Sequence, residues 1–231
     1  MPTFTTGRRI DENGRLIDGT GFTYDSGDRL AELLSQRKSP LFSQPITGEW
    51  VFGVVLAAAT RGEYERGVGI FSPGNSGPPE HFHPGYDEHF DILVGDFIFK
   101  IDGKERNVCA GEQLVVPKRI PHTFRCVGNK HGVAIVETRP SARIGDVIST
   151  LFGLAHEGSL TLQGQPKLMQ AMVIGSEYAD DTVFTSPPPN IAIPIAKTLA
   201  PIGRLLGYRS TYPRFADEAY WSKRVEQPAK A

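Results

Sequence analysis

Cysteine is nearly absent. The 231 residues contain two, Cys109 and Cys126, too few and too far apart for a disulfide framework or a CxxC zinc site. The opening segment, MPTFTTGRRIDENG, has no apolar core of a secretory leader. Together these features predict a reducing, cytoplasmic setting. An excess of charge of either sign is also missing: 25 Lys and Arg face 26 Asp and Glu, a formal net charge of −1. That balance gives no footprint for nucleic acid or an anionic membrane, so neither is expected as a partner. Long apolar runs are lacking too. The richest stretch, IAIPIAKTLAPIGRLLG (191–207), is interrupted by Pro194, Lys197, Pro201 and Arg204, whereas a spanning helix needs about 20 predominantly apolar residues. It is expected to be an amphipathic helix packed on its own protein. No internal repeat is evident.

What the chain does have is glycine (25) and proline (18), in a background of 39% hydrophobic and 22% charged residues. These are the values of a globular domain with a real core. The length fits one domain with a sizeable appendage. Most turn residues fall before residue 145. Residues 25–40 predict a short helix capped by Asp25 or Ser26, with Leu30, Leu33 and Leu34 on its apolar side and Pro40 beyond its end. From Trp50 to Val136 short strands dominate: WVFGVVLAAAT and GVGIFSP around a hairpin at RGEYER, then HFDILVG, DFIFKI, EQLVVP, HTFRCV and HGVAIVE. Asp102-Gly103 marks a hairpin, because both central residues of a type I′ turn need positive φ. Closely spaced strands predict a β-sandwich or barrel. Beyond residue 145 three segments are helical: GDVISTLFGLAHEG, QPKLMQAMVIGSEYADD with Leu168, Met172 and Ile174 or Gly175 on its core side and Met169 and Val173 beside them, and IAKTLAPIGRLLGYR. TSPPPN (185–190) is expected as an extended linker.

One stretch stands apart. EHFHPGYDEHFDILVGD (80–96) holds three of the six histidines and five acidic residues. On a strand, residues i and i+2 share a face, so His81 and His83 project together while Phe82 points away. After a turn at Gly85-Tyr86, Glu88 heads the face that continues through Phe90, Ile92 and Val94. A buried lone carboxylate is costly, and a divalent cation would remove that cost while using the imidazole lone pairs. His122 opens a strand with Phe124 and Cys126 on the same side, which makes it a fourth donor. Three neutral nitrogens and one carboxylate suit Fe, Ni, Mn, Co, Cu or Zn. Four protein ligands leave a position for water or substrate on a five- or six-coordinate ion.

These residues resemble the two signature motifs of the cupin superfamily. His81-Phe82-His83, four residues, Glu88, six residues and Gly95 follow the first motif; its leading glycine is off register, with Gly74 and Gly77 nearby. Gly111, Pro117 and His122 follow the second, with Arg119 in place of a glycine and Cys126 in place of an asparagine. The resemblance covers roughly residues 50–138. It implies a mainly β fold, a cupin-type β-barrel or jelly roll with a C-terminal helical extension: an N-terminal arm over 1–48, the barrel over 49–142 and the helices over 143–231. It also implies a homodimer formed through sheet edges. The activity it suggests is that of a quercetin dioxygenase-like enzyme. A metal held by His81, His83, Glu88 and His122 would bind an enolisable or aromatic small-molecule substrate for reaction with dioxygen, and Glu88 would be the catalytic base. Phe90, Phe99, Phe124 and Cys126 are the expected pocket residues. A redox-neutral isomerase, lyase or cyclase and a non-catalytic binding protein are the alternatives.

Blander readings accompany each feature. A His-x-His pair can lie on an exposed edge strand. Asp87 replaces Glu88 if the turn is shorter, and His89 lies on the opposite face. His131 and His156 read as surface residues. Cys126 fits a small buried hydrophobe as well as a pocket thiol. Lys118 and Arg119 fit a solvated turn as well as an anchor for an anionic substrate.

Overall fold

The computed structural model describes residues 1–229. β1 (Thr3–Thr6) and β2 (Phe22–Asp25) form a two-stranded antiparallel ribbon, followed by α1 (Arg29–Ser35). Next come β3 (Phe42–Gln44), β4 (Glu49–Val55) and β5 (Glu65–Phe71), then β6 (His81–Phe82), β7 (Asp87–Val94), β8 (Asp96–Ile101) and β9 (Lys104–Cys109). β10 (Gln113–Val116), β11 (His122–Val127) and β12 (Gly132–Arg139) complete the strand-rich region. The remainder is α2 (Ile144–His156), α3 (Leu168–Glu177), β13 (Val183–Phe184), α4 (Pro189–Leu205) and the single turn α5 (Glu218–Trp221).

Two antiparallel sheets face each other as a cupin jelly roll. One has the order β10-β7-β12-β5-β4-β3 and the other β13-β6-β11-β8-β9. Between them lies a core of Phe71, Phe90, Ile92, Phe97, Phe99, Val108, Leu114, Val116, Cys126 and Ala134. The alternation along β7 puts Glu88, Phe90 and Ile92 inside and leaves Asp87, His89, Asp91 and Leu93 half-buried. The outer face of the larger sheet is covered as well, by α1, Phe152 of α2, and Trp221 and Val225 from the end of the described chain. β5 and β12 therefore bury consecutive residues, Val68–Phe71 and Gly132–Ile135, which is why their sequences read as continuous apolar runs. At the β8–β9 hairpin Asp102 and Gly103 have φ of 49° and 76°, the left-handed pair that a type I′ turn requires.

Several local expectations need correction. α1 starts at Arg29, with Asp28 at its N-cap, because residues 22–25 are taken by β2; its buried side is Leu30, Leu33 and Leu34 as expected. Residues 57–60 form a 3-10 turn and do not extend β4. α3 buries Gln170, Val173 and Ile174, while Leu168 is exposed. The extended linker is shorter than expected, since Pro189 is already helical. α4 packs on α3, and its fully buried residues are the small ones, Ala196, Ala200 and Gly203. His131 and His156 are half-buried: His131 packs on Trp50, and His156 sits 2.8 Å from Ser43 Oγ and against Trp221.

Candidate metal centre

The register brings the four expected donors together. His81 on β6 and His122 on β11 are direct cross-strand partners in the smaller sheet. Glu88 comes from the larger sheet, where it lies opposite Val116 and Thr138. His83 follows β6, held by the Arg119 N–H, which donates to the His83 carbonyl at 2.8 Å. The donor atoms of His81, His83, Glu88 and His122 lie within 4.8 Å of one another. All four residues are buried, with exposures of 5%, 2%, 5% and 1%.

Two loop positions make this approach possible. Gly77 has φ of +64°, and a Cβ there would overlap the Phe124 carbonyl oxygen, so the chain entering β6 can run against β11 only with glycine. Arg119, which stands in place of the motif glycine, adopts a left-handed conformation, with φ of 68°. The turn that supports His83 is thus retained at a cost of roughly 1–2 kcal/mol in local strain.

The imidazoles are oriented for coordination. Each Nδ1 lies in hydrogen-bond range of a backbone carbonyl: His81 to Pro79 at 2.8 Å, His83 to Asp181 at 3.1 Å and His122 to Ile120 at 3.0 Å. A ring that donates Nδ1–H presents a bare Nε2 lone pair, the form a metal takes. His83 Nε2 is buried and has no hydrogen-bond partner, although Glu88 Oε2 lies 3.3 Å away. Two electron-rich atoms facing each other without a proton form a gap suited to a cation. His122 Nε2 lies 2.9 Å from the same carboxylate oxygen.

Electrostatics divide the cluster. Burial, reinforced by neighbouring His122, pushes His81 down to about 4 and keeps it neutral near pH 7. Burial acts against ionisation of Glu88, but the imidazoles of His122 and His83 outweigh it and hold the carboxyl below its usual range. Burial acts against protonation of His122 as well, and Glu88 reverses the balance and raises it. A divalent cation would take over the role of that shared proton.

The other expected positions sort as follows. Asp87 does not join the cluster; its Oδ1 accepts from the Lys118 N–H at 2.8 Å. Lys118 and Arg119 are exposed at the turn. Phe90 and Phe99 are buried, Phe124 is half-buried, and their ring centroids lie 4.9–5.8 Å apart in one aromatic cluster. Cys126 is buried opposite Phe97 on β8, four positions along β11 from His122.

Sequence reasoning missed the residues that enclose the ligands. Tyr86 stacks on His83 at 4.3 Å, and its hydroxyl donates to Asp181 Oδ1 at 3.3 Å. Phe184 on β13 lies 6.0 Å from the His81 ring. Tyr86 could have been found, since it lies inside the motif; nothing local to Asp181 or Phe184 signals a role beside a site about a hundred residues earlier. Glu65 was also passed over. Thr138 pairs with both Glu88 and Glu65, so the three align across the sheet. Burial, helped by nearby Asp181 and opposed by the Ala142 N–H, raises Glu65 to about 7.

Three imidazoles and one carboxylate converging from both sheets of a jelly roll fit a single metal site of the cupin type. In agreement, residues 67–137 match the family model described as Cupin domain, and the chain carries a cupin domain. A search of curated proteins found no match. Among solved structures the chain is similar to KdgF from Halomonas sp., at 18% identity over 40% of this chain and 78% of that one, with a TM-score of 0.36. It is similar to a predicted oxalate decarboxylase from Thermotoga maritima, at 20% identity over 40% and 80% of the two chains, with a TM-score of 0.38. An RmlC-like cupin from Shewanella frigidimarina gives 19% identity over 45% and 85%, with a TM-score of 0.38.

Proposed function

We propose that the protein is a metal-dependent cupin enzyme that brings an enolisable or aromatic small molecule into reaction with dioxygen. The observation that carries the metal is the orphaned Nε2 of His83 facing the Glu88 carboxylate, in a buried cluster whose three imidazoles are each fixed through Nδ1. A divalent Fe, Ni, Mn, Co or Cu ion bound there would supply Lewis acidity toward an enol oxygen and electron exchange with dioxygen. Glu88 is the one carboxylate among the donors, and its position between His83 and His122 suits it to accept the substrate proton. Buried Tyr86, stacked on His83, shields that imidazole from water. The choice of an apolar or aromatic substrate is supported by the phenyl-rich interior, where Phe90, Phe99 and Phe124 sit among buried apolar neighbours. The free thiols of Cys109 and Cys126 fit a cytoplasmic setting, and the open edges of the two sheets offer a route to a homodimer.

The test is elemental analysis of the purified protein, followed by dioxygen-electrode assays with flavonols and other enolisable aromatics. About one equivalent of a redox metal and substrate-dependent uptake are expected. Zinc with product formed without dioxygen would transfer the assignment to a redox-neutral isomerase, lyase or cyclase. Metal with neither activity would make the protein a binding module.

A further inference from the structure

α4 is built inside out relative to the rest of the molecule. Its buried side is Ala196, Ala200 and Gly203, and a Cβ on Gly203 would come within 2.6 Å of Val173. Small residues let α4 lie close along α3. The two helices run antiparallel, since Gly175 approaches Ala196 while Gly203 approaches the Met169 carbonyl. Ile193 and Leu199 are half-buried, but the other large residues point away from that contact. Ile191, Ile195, Ile202, Leu205 and Leu206 are all exposed, Ile202 at 50% and Leu205 at 88%. Their spacings of four, seven, three and one residues place them on one side of the helix. Leu168, at the start of α3, is exposed at 65% beside the C-terminal end of α4.

The segment that carries this stripe has charges of one sign. Residues 182–216 contain Lys197, Arg204, Arg209 and Arg214 and no Asp or Glu. Arg204 and Arg214 pair with Glu177 and Glu157. Among the described residues, Lys197 and Arg209 have no acidic partner. The near-zero charge of the whole chain conceals this segregation.

We propose that the α4 stripe docks on an anionic lipid surface. No helix of the described residues is long and apolar enough to cross a membrane, but lying on one needs only an apolar stripe with flanking cations. Isoleucine and leucine would enter the acyl boundary, while Lys197 and Arg209 would meet lipid phosphates. A second copy of this chain fits less well. Its stripe would bring the same cations to the contact. A helix of 17 residues offers a strip of about 26 Å by about 10 Å, roughly 260 Å², against the approximately 800 Å² per partner of a stable interface.

The experiment is co-sedimentation of the full-length protein with vesicles of equimolar phosphatidylcholine and phosphatidylglycerol, and with vesicles of phosphatidylcholine alone, at low and high salt. Binding to the anionic vesicles, weakened by salt, is expected. The double variant Ile195→Glu with Ile202→Glu should lose at least about tenfold in vesicle affinity while keeping the parent's circular dichroism and metal content. The variant Lys197→Glu with Arg209→Glu, which leaves the apolar side intact, should lose the preference for anionic lipid. No binding to anionic vesicles, or equal binding by the parent and both variants, would overturn the proposal. So would a concentration-dependent dimer in sedimentation velocity that Ile195→Glu with Ile202→Glu abolishes in a protein that ignores vesicles; the stripe would then belong to self-association.

Discussion

The barrel and the α3–α4 hairpin use apolar residues in opposite ways. Between the two sheets phenylalanines fill the interior, and the ionisable groups among them are the four clustered donors. In α4 the fully buried residues are alanine and glycine, and Ile191, Ile195, Ile202 and Leu205 face outward. Size therefore marks burial in one region and exposure in the other. A large apolar residue contributes to stability only where neighbours surround it on all sides, and contributes to recognition where they do not.

The strongest way to sharpen this contrast is to remove donors. His81→Ala or His122→Ala should abolish stoichiometric metal binding while far-ultraviolet circular dichroism remains that of the parent. If both variants retain the parent's metal content by mass spectrometry, the four-residue assignment fails. Next comes packing. Phe99→Ala, in the centre of the barrel, should cost about 3–5 kcal/mol in urea denaturation, whereas Ile202→Ala on α4 belongs near the bottom of the scale. Comparable losses at the two positions would show that the outward face of α4 is covered in solution.

A smaller effect concerns Glu65. Its carboxyl is held neutral up to about 7 in the folded protein, above its ordinary value of 4.5. Between those two pH values the folded state binds more protons than the unfolded chain, so the carboxyl's contribution to stability declines as pH rises through that window. Glu65→Gln should therefore gain on the parent as pH goes from 5 to 8. The gain is about 1–3 kcal/mol once partial exposure is allowed for. Melting temperatures of the two proteins across that range decide it; parallel curves would mean that Glu65 ionises freely. The smallest effect expected is Ile195→Ala, within about 0.5 kcal/mol of the parent.

Much of this was legible in the sequence where the period was two. EHFDILVG placed Glu88, Phe90 and Ile92 inside, and the Asp102-Gly103 hairpin set the register of β8 against β9. The four donors followed, because spacing on strands fixes which side chains share a face. In the C-terminal third the helices were visible but their orientation was not. Of the apolar side read there, Val173 and Ile174 are buried, but Leu168 is exposed and Gln170 is buried in its stead. Hydrophobicity by itself cannot tell a face that meets another helix closely from one that meets something outside the molecule. The contacts around the donors were hidden for a different reason. Asp181 and Phe184 are brought to His83 and His81 by the pairing of β13 with β6, a non-local event with no local pattern.

That pairing has a consequence for how the protein is made. All four donors have been synthesised by residue 122, but the carbonyl in range of the His83 ring belongs to Asp181. A growing chain would possess its ligands well before it possessed the geometry to retain an ion tightly. Loss of a supporting contact of this kind typically weakens metal affinity by about 10–100-fold, so a copy lacking β13 would hold an ion more weakly than one in which β13 is paired with β6.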